Sequence, residues 1–201
     1  GDTKVVEKGK ADGLFIATSG VGVIPSGIAL SGANARPGDV VLVSGPLGDH
    51  GVAVMNARNR LGLEGDIRSD AAPLNGLAAA MLAASPEIRV LRDLTRGGLA
   101  ASLNEIASAS RCRIEIDETS VPVRRSTAAA CQILGLDPLY VANEGKLVAM
   151  APAPVAERVL AAMRGHEHGK DAAAVGRVCE GPGQVRLRTA IGGSRILAML
   201  E

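Results

Sequence analysis

Apolar positions along the chain follow two periods, and the elements they predict alternate irregularly. Val40-Val41-Leu42-Val43, ending at Ser44, is a continuous β-branched run, the pattern of a strand buried on both faces. It enters the loop Gly45-Pro46-Leu47-Gly48-Asp49-His50-Gly51, after which Val52, Ala53 and Met55 open a helical pattern that runs to Leu61. Asp70 to Ser85 reads as a helix, with Asp70 as its cap, Pro73 in the first turn and Leu74, Leu77, Met81 and Leu82 as the apolar face. Val90 and Leu91 read as a strand, and Leu99, Leu103, Ile106 and Ala107 then fall on one helix face. Ile114 and Ile116 alternate with charged residues, which predicts a strand with one buried face. Ser126 to Leu134 is helical and stops at Gly135, with Pro138 beyond. Leu147–Met150 is a strand, and Pro154 opens a helix carrying Val155, Val159, Leu160 and Met163 that ends at Gly165. Three strands close the chain at Val175–Val178, Val185–Leu187 and Ile196–Leu200. Two more short strands, around Val5 and at Phe15–Thr18, precede everything else and are joined by the polar turn Glu7–Asp12.

Strands and helices intermix without strict alternation. That order predicts an α+β arrangement, a mixed sheet covered by helices, rather than a doubly wound parallel sheet. The turn Arg36-Pro37-Gly38-Asp39 marks a boundary. Residues 1–34 hold too few strands to bury a core of their own, and residues 35–201 form an α/β domain.

Composition narrows the chemistry. Hydrophobic residues are 47% of the chain but aromatics only 1%, so the core is aliphatic and offers no platform for stacking bases. The 22 basic and 21 acidic residues leave a net charge of +1 with no long basic run, which argues against nucleic acid and against a membrane surface as partners. No apolar run approaches a membrane span and no signal peptide is visible. Cys112, Cys131 and Cys179 are odd in number and far apart, fitting buried free thiols in a reducing cytoplasm better than a disulfide framework or a zinc site. His166-Glu167-His168 follows a helix end with no third ligand nearby and reads as solvated loop.

Two segments carry candidate chemistry. In Asp93-Leu94-Thr95-Arg96-Gly97-Gly98-Leu99 a strand runs through an acid, a hydroxyl, a guanidinium and two glycines into a helix. Such a turn presents backbone N–H groups where an anion is favoured, and Arg96 adds a fixed positive fork. Ala142-Asn143-Glu144-Gly145-Lys146 sets a carboxylate and an amine beside a glycine, just before a strand. Simpler readings stand beside these. Asp93 and Thr95 suit a helix cap, Gly97-Gly98 a turn, Glu144 and Lys146 a surface ion pair, Asp49 a cap, His50 a loop histidine and Lys4 a solvated edge-strand lysine.

The ordered set Gly1-Asp2-Thr3-Lys4-Val5-Val6, Gly45–Gly51, Ser69-Asp70, Arg92–Leu99 and Ala142–Lys146 resembles the HypE family of hydrogenase-maturation carbamoyl dehydratases. That family lies in the superfamily of aminoimidazole ribonucleotide synthetase and selenophosphate synthetase. The resemblance covers essentially the whole chain. It implies a first, ATP-binding domain that dimerises through a β-barrel and a second α/β domain that closes over the nucleotide. Residues 1–34 are then a remnant of the first domain and residues 35–201 the second. The family phosphorylates, with ATP and Mg²⁺, the amide oxygen of a carbamoyl group held on its own C-terminal cysteine. It then eliminates phosphate to leave a thiocyanate, the source of the cyanide ligands of nickel–iron hydrogenase. The resemblance further implies the carbamoyltransferase HypF and a HypC–HypD scaffold as partners, and a homodimer in the complete protein.

Carried onto this chain, the resemblance implies that Lys4 and Arg96 neutralise the moving phosphoryl group, aided by Gly97 and Gly98. Asp2 and Thr3 match the superfamily's nucleotide segment, with Asp2 as the Mg²⁺ ligand. Glu144 takes the N–H proton if partial burial raises its pKa. Asp93 orients Arg96 or the amide, and His50 is a second candidate base or phosphate ligand. The chain departs from the family in lacking most of the first domain and the terminal cysteine, so the isolated chain is expected to be inactive. Two other readings stay open: a different ATP-dependent synthetase of the superfamily, and a catalytically inert docking fragment.

Overall fold

The computed structural model describes residue 9 and residues 19–59, 61–63 and 66–199. Asp2, Thr3, Lys4 and the strands expected around Val5 and at Phe15–Thr18 lie outside the described residues. The elements are β1 (Asp39–Val43), α1 (Asp49–Asn59), α2 (Asn75–Ala84), β2 (Val90–Asp93), α3 (Gly98–Ser110), β3 (Arg113–Asp117), α4 (Arg125–Leu134), β4 (Leu147–Pro152), α5 (Ala153–Arg164), β5 (Ala173–Cys179), β6 (Gln184–Arg188) and β7 (Ser194–Ile196). The strands form one sheet in the order β2-β4-β1-β5-β3-β6-β7. All neighbours are antiparallel except β3 and β6, which run parallel. This is the mixed, helix-covered sheet that the element order predicts.

β1 sits inside the sheet, and its continuous apolar run is explained by burial on both faces. Val41 and Val43 join one core layer and Leu42 the other. The first layer lies under α3, whose Leu99, Leu103, Ile106 and Ala107 pack on Val148, Met150, Ile114 and Leu187. The second lies under α2 and α5, through Leu77, Met81, Val155, Val159 and Met163. Fully burying one such aliphatic side chain stabilises the fold by about 1.5–3 kcal/mol. A smaller cluster joins Val52 of α1, Ala130 and Cys131 of α4, and Val141. In β3 the alternation holds: Ile114 and Ile116 face α3, while Glu115 and Asp117 line an open groove with Arg177, Arg186 and Arg188. α4 ends as expected, on Gly135 at φ +66°.

Two boundaries differ from the sequence reading. The helix expected from Asp70 starts only at Asn75, and Asp70 does not cap it. Its carboxyl is committed to Glu144 and Lys146 instead. The last strand is Ser194–Ile196 rather than Ile196–Leu200. There the Leu197 N–H closes onto the Val185 carbonyl and its side chain turns into the core. All three cysteines are free; Cys112 and Cys131 are buried and Cys179 only partly so. His166 and His168 are half-buried rather than fully solvated, with the His168 N–H donating to His166 Nδ1 at 3.2 Å. No described helix is long and apolar enough to cross a membrane.

Candidate functional site at one end of the sheet

β1 and β2 both run antiparallel to their shared neighbour β4. The loops that leave β1 and β2 therefore meet the loop that enters β4 at one end of the sheet. The segments Asp93–Leu99 and Ala142–Lys146, remote in sequence, are joined there by backbone bonds. The Leu94 N–H donates to the Lys146 carbonyl and the Asn143 N–H to the Leu94 carbonyl, each at 3.1 Å.

Asn143 is the centre of this arrangement and is completely buried. Its Oδ1 accepts the Gly48 N–H at 2.8 Å, and its Nδ2 donates to the carbonyls of Leu94 and Val141, both at 3.1 Å. One side-chain amide thus fixes the β1–α1 loop, the β2–α3 loop and the β4 entry together. Close backbone approach completes the junction. A Cβ at Gly98 would lie 2.6 Å from the Val141 carbonyl oxygen, and one at Gly51 would lie 2.4 Å from a Val141 methyl. Gly98 also holds φ +61°, so glycine is required there twice over.

Around this hub stand the residues that the sequence singles out. Glu144 is exposed, not partly buried as expected, and its backbone N–H donates to Asp70 Oδ1 at 2.9 Å. Glu144 does not pair with Lys146; the Lys146 ammonium lies 3.4 Å from Asp70 Oδ2 and donates to the Gly145 carbonyl at 3.1 Å. Asp93 is exposed at the end of β2, 3.6 Å from Arg92 and in weak contact with the Thr95 hydroxyl at 3.5 Å. Arg96 is exposed in the turn ahead of α3. That helix begins on Gly97 at φ +73° with no side-chain cap; the Gly98 N–H donates back to the Thr95 carbonyl at 3.2 Å, and the rest of the turn and Arg96 suit an anion such as a phosphate. His50 is half-buried at the start of α1, its Nδ1 2.9 Å from the Ser69 hydroxyl. Asp49 is buried, where Arg124 donates to Oδ2 at 2.8 Å and Thr127 to Oδ1.

Two cavities flank the junction. A polar cleft of about 410 Å³ is lined by Asp49, Asp70, Arg124, Lys146, His168 and Lys170 among others. An apolar one of about 350 Å³ lies beside His50, against Val54, Met55, Leu136 and Tyr140. Among the described residues no group of three or more His, Cys, Asp or Glu side chains is placed to hold a metal ion. The one Mg²⁺ ligand expected, Asp2, lies outside the described residues.

The structure brings the sequence-predicted Asp93, Arg96, Gly97, Gly98 and Glu144 to the same end of the sheet, with His50 near by. Asp70 and Lys146 as structural partners of the Glu144 loop, and Asn143 as the hub, are not predicted from sequence. The one available signal for Asn143 was a lone amide between the apolar Val141-Ala142 and a charged loop.

Residues 36–188 match the family of AIR synthase related proteins, C-terminal domain. Along its whole length the chain is 57% identical to the carbamoyl dehydratase HypE of Azotobacter vinelandii and spans 59% of that protein. A hydrogenase maturation protein HypE crystallised with ATP is 47% identical, with a TM-score of 0.82 over 85% of this chain and 53% of its own. A HypE in complex with HypF is 46% identical, again with a TM-score of 0.82, over 85% of this chain and 56% of its own.

Proposed function

The chain belongs to the family of AIR synthase related proteins, whose C-terminal domain it carries, and from that premise we propose that it is the C-terminal part of a carbamoyl dehydratase of hydrogenase maturation. Residues 35–201 are that domain, and residues 1–34 belong to the ATP-binding domain ahead of it. The substrate is a thiocarboxamide carried on a C-terminal cysteine, and ATP is the phosphoryl donor. The amide oxygen gains a phosphoryl group and the nitrogen gives up its first proton, and loss of phosphate together with the second N–H proton leaves a thiocyanate for the cyanide ligand of a nickel–iron hydrogenase. HypF is the partner that loads the carbamoyl group, and a HypC–HypD complex receives the product. The complete protein is a homodimer.

ATP supplies the phosphoryl group that turns a poor leaving oxygen into a good one. This chain's own residues do the rest. Arg96 and the uncapped first turn of α3 hold the charge on the phosphoryl oxygens. In this reading Lys4 would share that task, and Asp2 and Thr3 would serve the nucleotide, with Asp2 as the ligand that would hold Mg²⁺. Glu144 takes the N–H proton. That role rests on the place of Glu144 in a loop held by backbone bonds, and no longer on the partial burial expected of it, because its carboxylate is exposed. Asp93 orients the amide, and His50 is the reserve base.

One observation carries this reading. The Glu144 loop is fastened directly to the loop that ends in Arg96 and the first turn of α3. The candidate proton acceptor and the candidate anion-binding turn are therefore tied together at one end of the sheet, in a chain similar along its whole length to a carbamoyl dehydratase. The test is ATP-dependent phosphate release in a form extended by the N-terminal domain and a terminal cysteine, with the carbamoyltransferase and the carbamoyl donor present. Release that depends on all of these supports the reading. ATP hydrolysis indifferent to the carbamoyl donor refutes it.

A further inference from the structure

We propose that Asp70 is a positioning residue for Glu144, a role that rests on the reading of Glu144 as the proton acceptor. The Asp70 side chain is only 4% exposed, although Ser69 and Ala71 on either side of it are exposed. A carboxylate is drawn out of water only where partners replace the water. Here it has two. Oδ1 accepts the Glu144 N–H at 2.9 Å, and Oδ2, which makes no hydrogen bond, faces the Lys146 ammonium at 3.4 Å. One carboxylate therefore grips the chain on both sides of Gly145.

Gly145 is what lets the two segments meet. A Cβ there would lie 1.9 Å from the Asp70 carbonyl oxygen, a distance no real side chain tolerates. On the other flank, Ser69 is joined to His50 Nδ1 at 2.9 Å. Ser69 and Asp70 thus form a strap from the start of α1 to the Glu144 loop. This also accounts for the late start of α2, because Asp70 serves a distant loop instead of its own helix.

Among the described residues the Glu144 carboxylate makes no hydrogen bond or ion pair. Its placement is therefore set by its backbone. Asn143 fixes that backbone from the core side and Asp70 from the cleft side. Positioning matters because small displacements of a reacting group cost large factors in rate.

The test compares Asp70→Ala and the isosteric Asp70→Asn in the form that carries the N-terminal domain. Two readouts are taken: exchange of the Glu144 amide hydrogen, and the kinetics of dehydration. Asp70→Ala is expected to speed exchange of that amide about tenfold or more, since the N–H loses its acceptor. It is expected to lower kcat by about 10- to 100-fold while the KM for ATP stays within about twofold. Asp70→Asn, which keeps an acceptor oxygen for the Glu144 N–H but loses the ion pair with Lys146, retains the amide protection and loses less kcat than Asp70→Ala. In a Glu144→Gln background Asp70→Ala adds no further loss, because there is no base left to position. A Glu144 amide equally protected in Asp70→Ala overturns the strap. A wild-type kcat in Asp70→Ala, or a loss that repeats in full on Glu144→Gln, overturns the positioning role. If Glu144→Gln is itself fully active while the amide still responds to Asp70→Ala, the base assignment falls. The catalytic part of this proposal falls with it.

Discussion

Replacing Asn143 with alanine should loosen the end of the sheet that holds the candidate site. The substitution removes three hydrogen bonds from a side chain with no exposure to water. The losses are unequal. The Leu94 carbonyl keeps the Asn143 backbone N–H, whereas the buried Gly48 N–H loses its acceptor, and the missing amide leaves a small void. An orphaned buried donor costs about 1–3 kcal/mol, and the weakened carbonyls and void bring the total to about 2–4 kcal/mol. For a chain of this size that is a fall in Tm of roughly 4–16 °C. Urea unfolding, followed by far-UV circular dichroism, measures it. Asn143→Asp is the control. It keeps an acceptor for Gly48 but sets a buried negative oxygen against the Leu94 and Val141 carbonyls. At neutral pH it should be at least as damaging as alanine and should recover as the pH falls and the carboxyl gains a proton to donate. A loss below about 1 kcal/mol for Asn143→Ala would refute the hub, because a single satisfied hydrogen bond already contributes that much.

Further outcomes follow from the same geometry. The Thr119 hydroxyl and then the Arg188 guanidinium hold the Asp117 carboxyl down to about 2. Because the folded value lies below the unfolded one, Asp117 adds stability that is present above about pH 4 and is lost as the pH falls toward the folded value. Asp117→Asn should flatten stability over that window, as read from unfolding midpoints at acid pH. Gly98→Ala, with φ +61° and two carbonyls under 3 Å from the new Cβ, should destabilise much more than Gly135→Ala. Gly135→Ala meets open space and loses only about 1–2 kcal/mol for its left-handed backbone; thermal melts of both variants compare them. The 201-residue chain alone should release no phosphate from ATP with the carbamoyl donor and transferase present, since it spans 59% of the Azotobacter relative. Turnover equal to that of the longer form would contradict this.

The elements legible in the sequence are those whose signal is local. β1 announces itself by a β-branched run, α3 by Leu99, Leu103 and Ile106, and α4 by the glycine that ends it. The candidate site was legible as residue types, since Asp93, Arg96 and Glu144 stand out beside glycines. What was hidden is set by partners far along the chain. Asp70 looks like a cap because an acid before an apolar helix usually is one, yet its acceptor oxygen serves an N–H of residue 144. Lys146 looks like a surface partner for Glu144 until Asp70 is brought between them. The last strand is misplaced because its register is fixed by β6, not by the apolar run from Ile196 onward. The exposure of Glu144 depends on how the loop is tied down, which no local pattern encodes.

The central claim is that Glu144 takes a proton from a phosphorylated thiocarboxamide. It is tested most directly by the mass of the C-terminal cysteine in Glu144→Gln, in the form that carries the N-terminal domain, after carbamoylation and incubation with ATP. The swap keeps the shape of the side chain and the Glu144 N–H bond to Asp70 but removes the base. A general base contributes about 10²–10⁴-fold in rate. The expected result is a cysteine that stays carbamoylated while ATP still binds, beside a wild-type cysteine that loses one water and becomes a thiocyanate. Conversion of the Glu144→Gln cysteine at the wild-type rate would contradict the account and pass the role of base to His50.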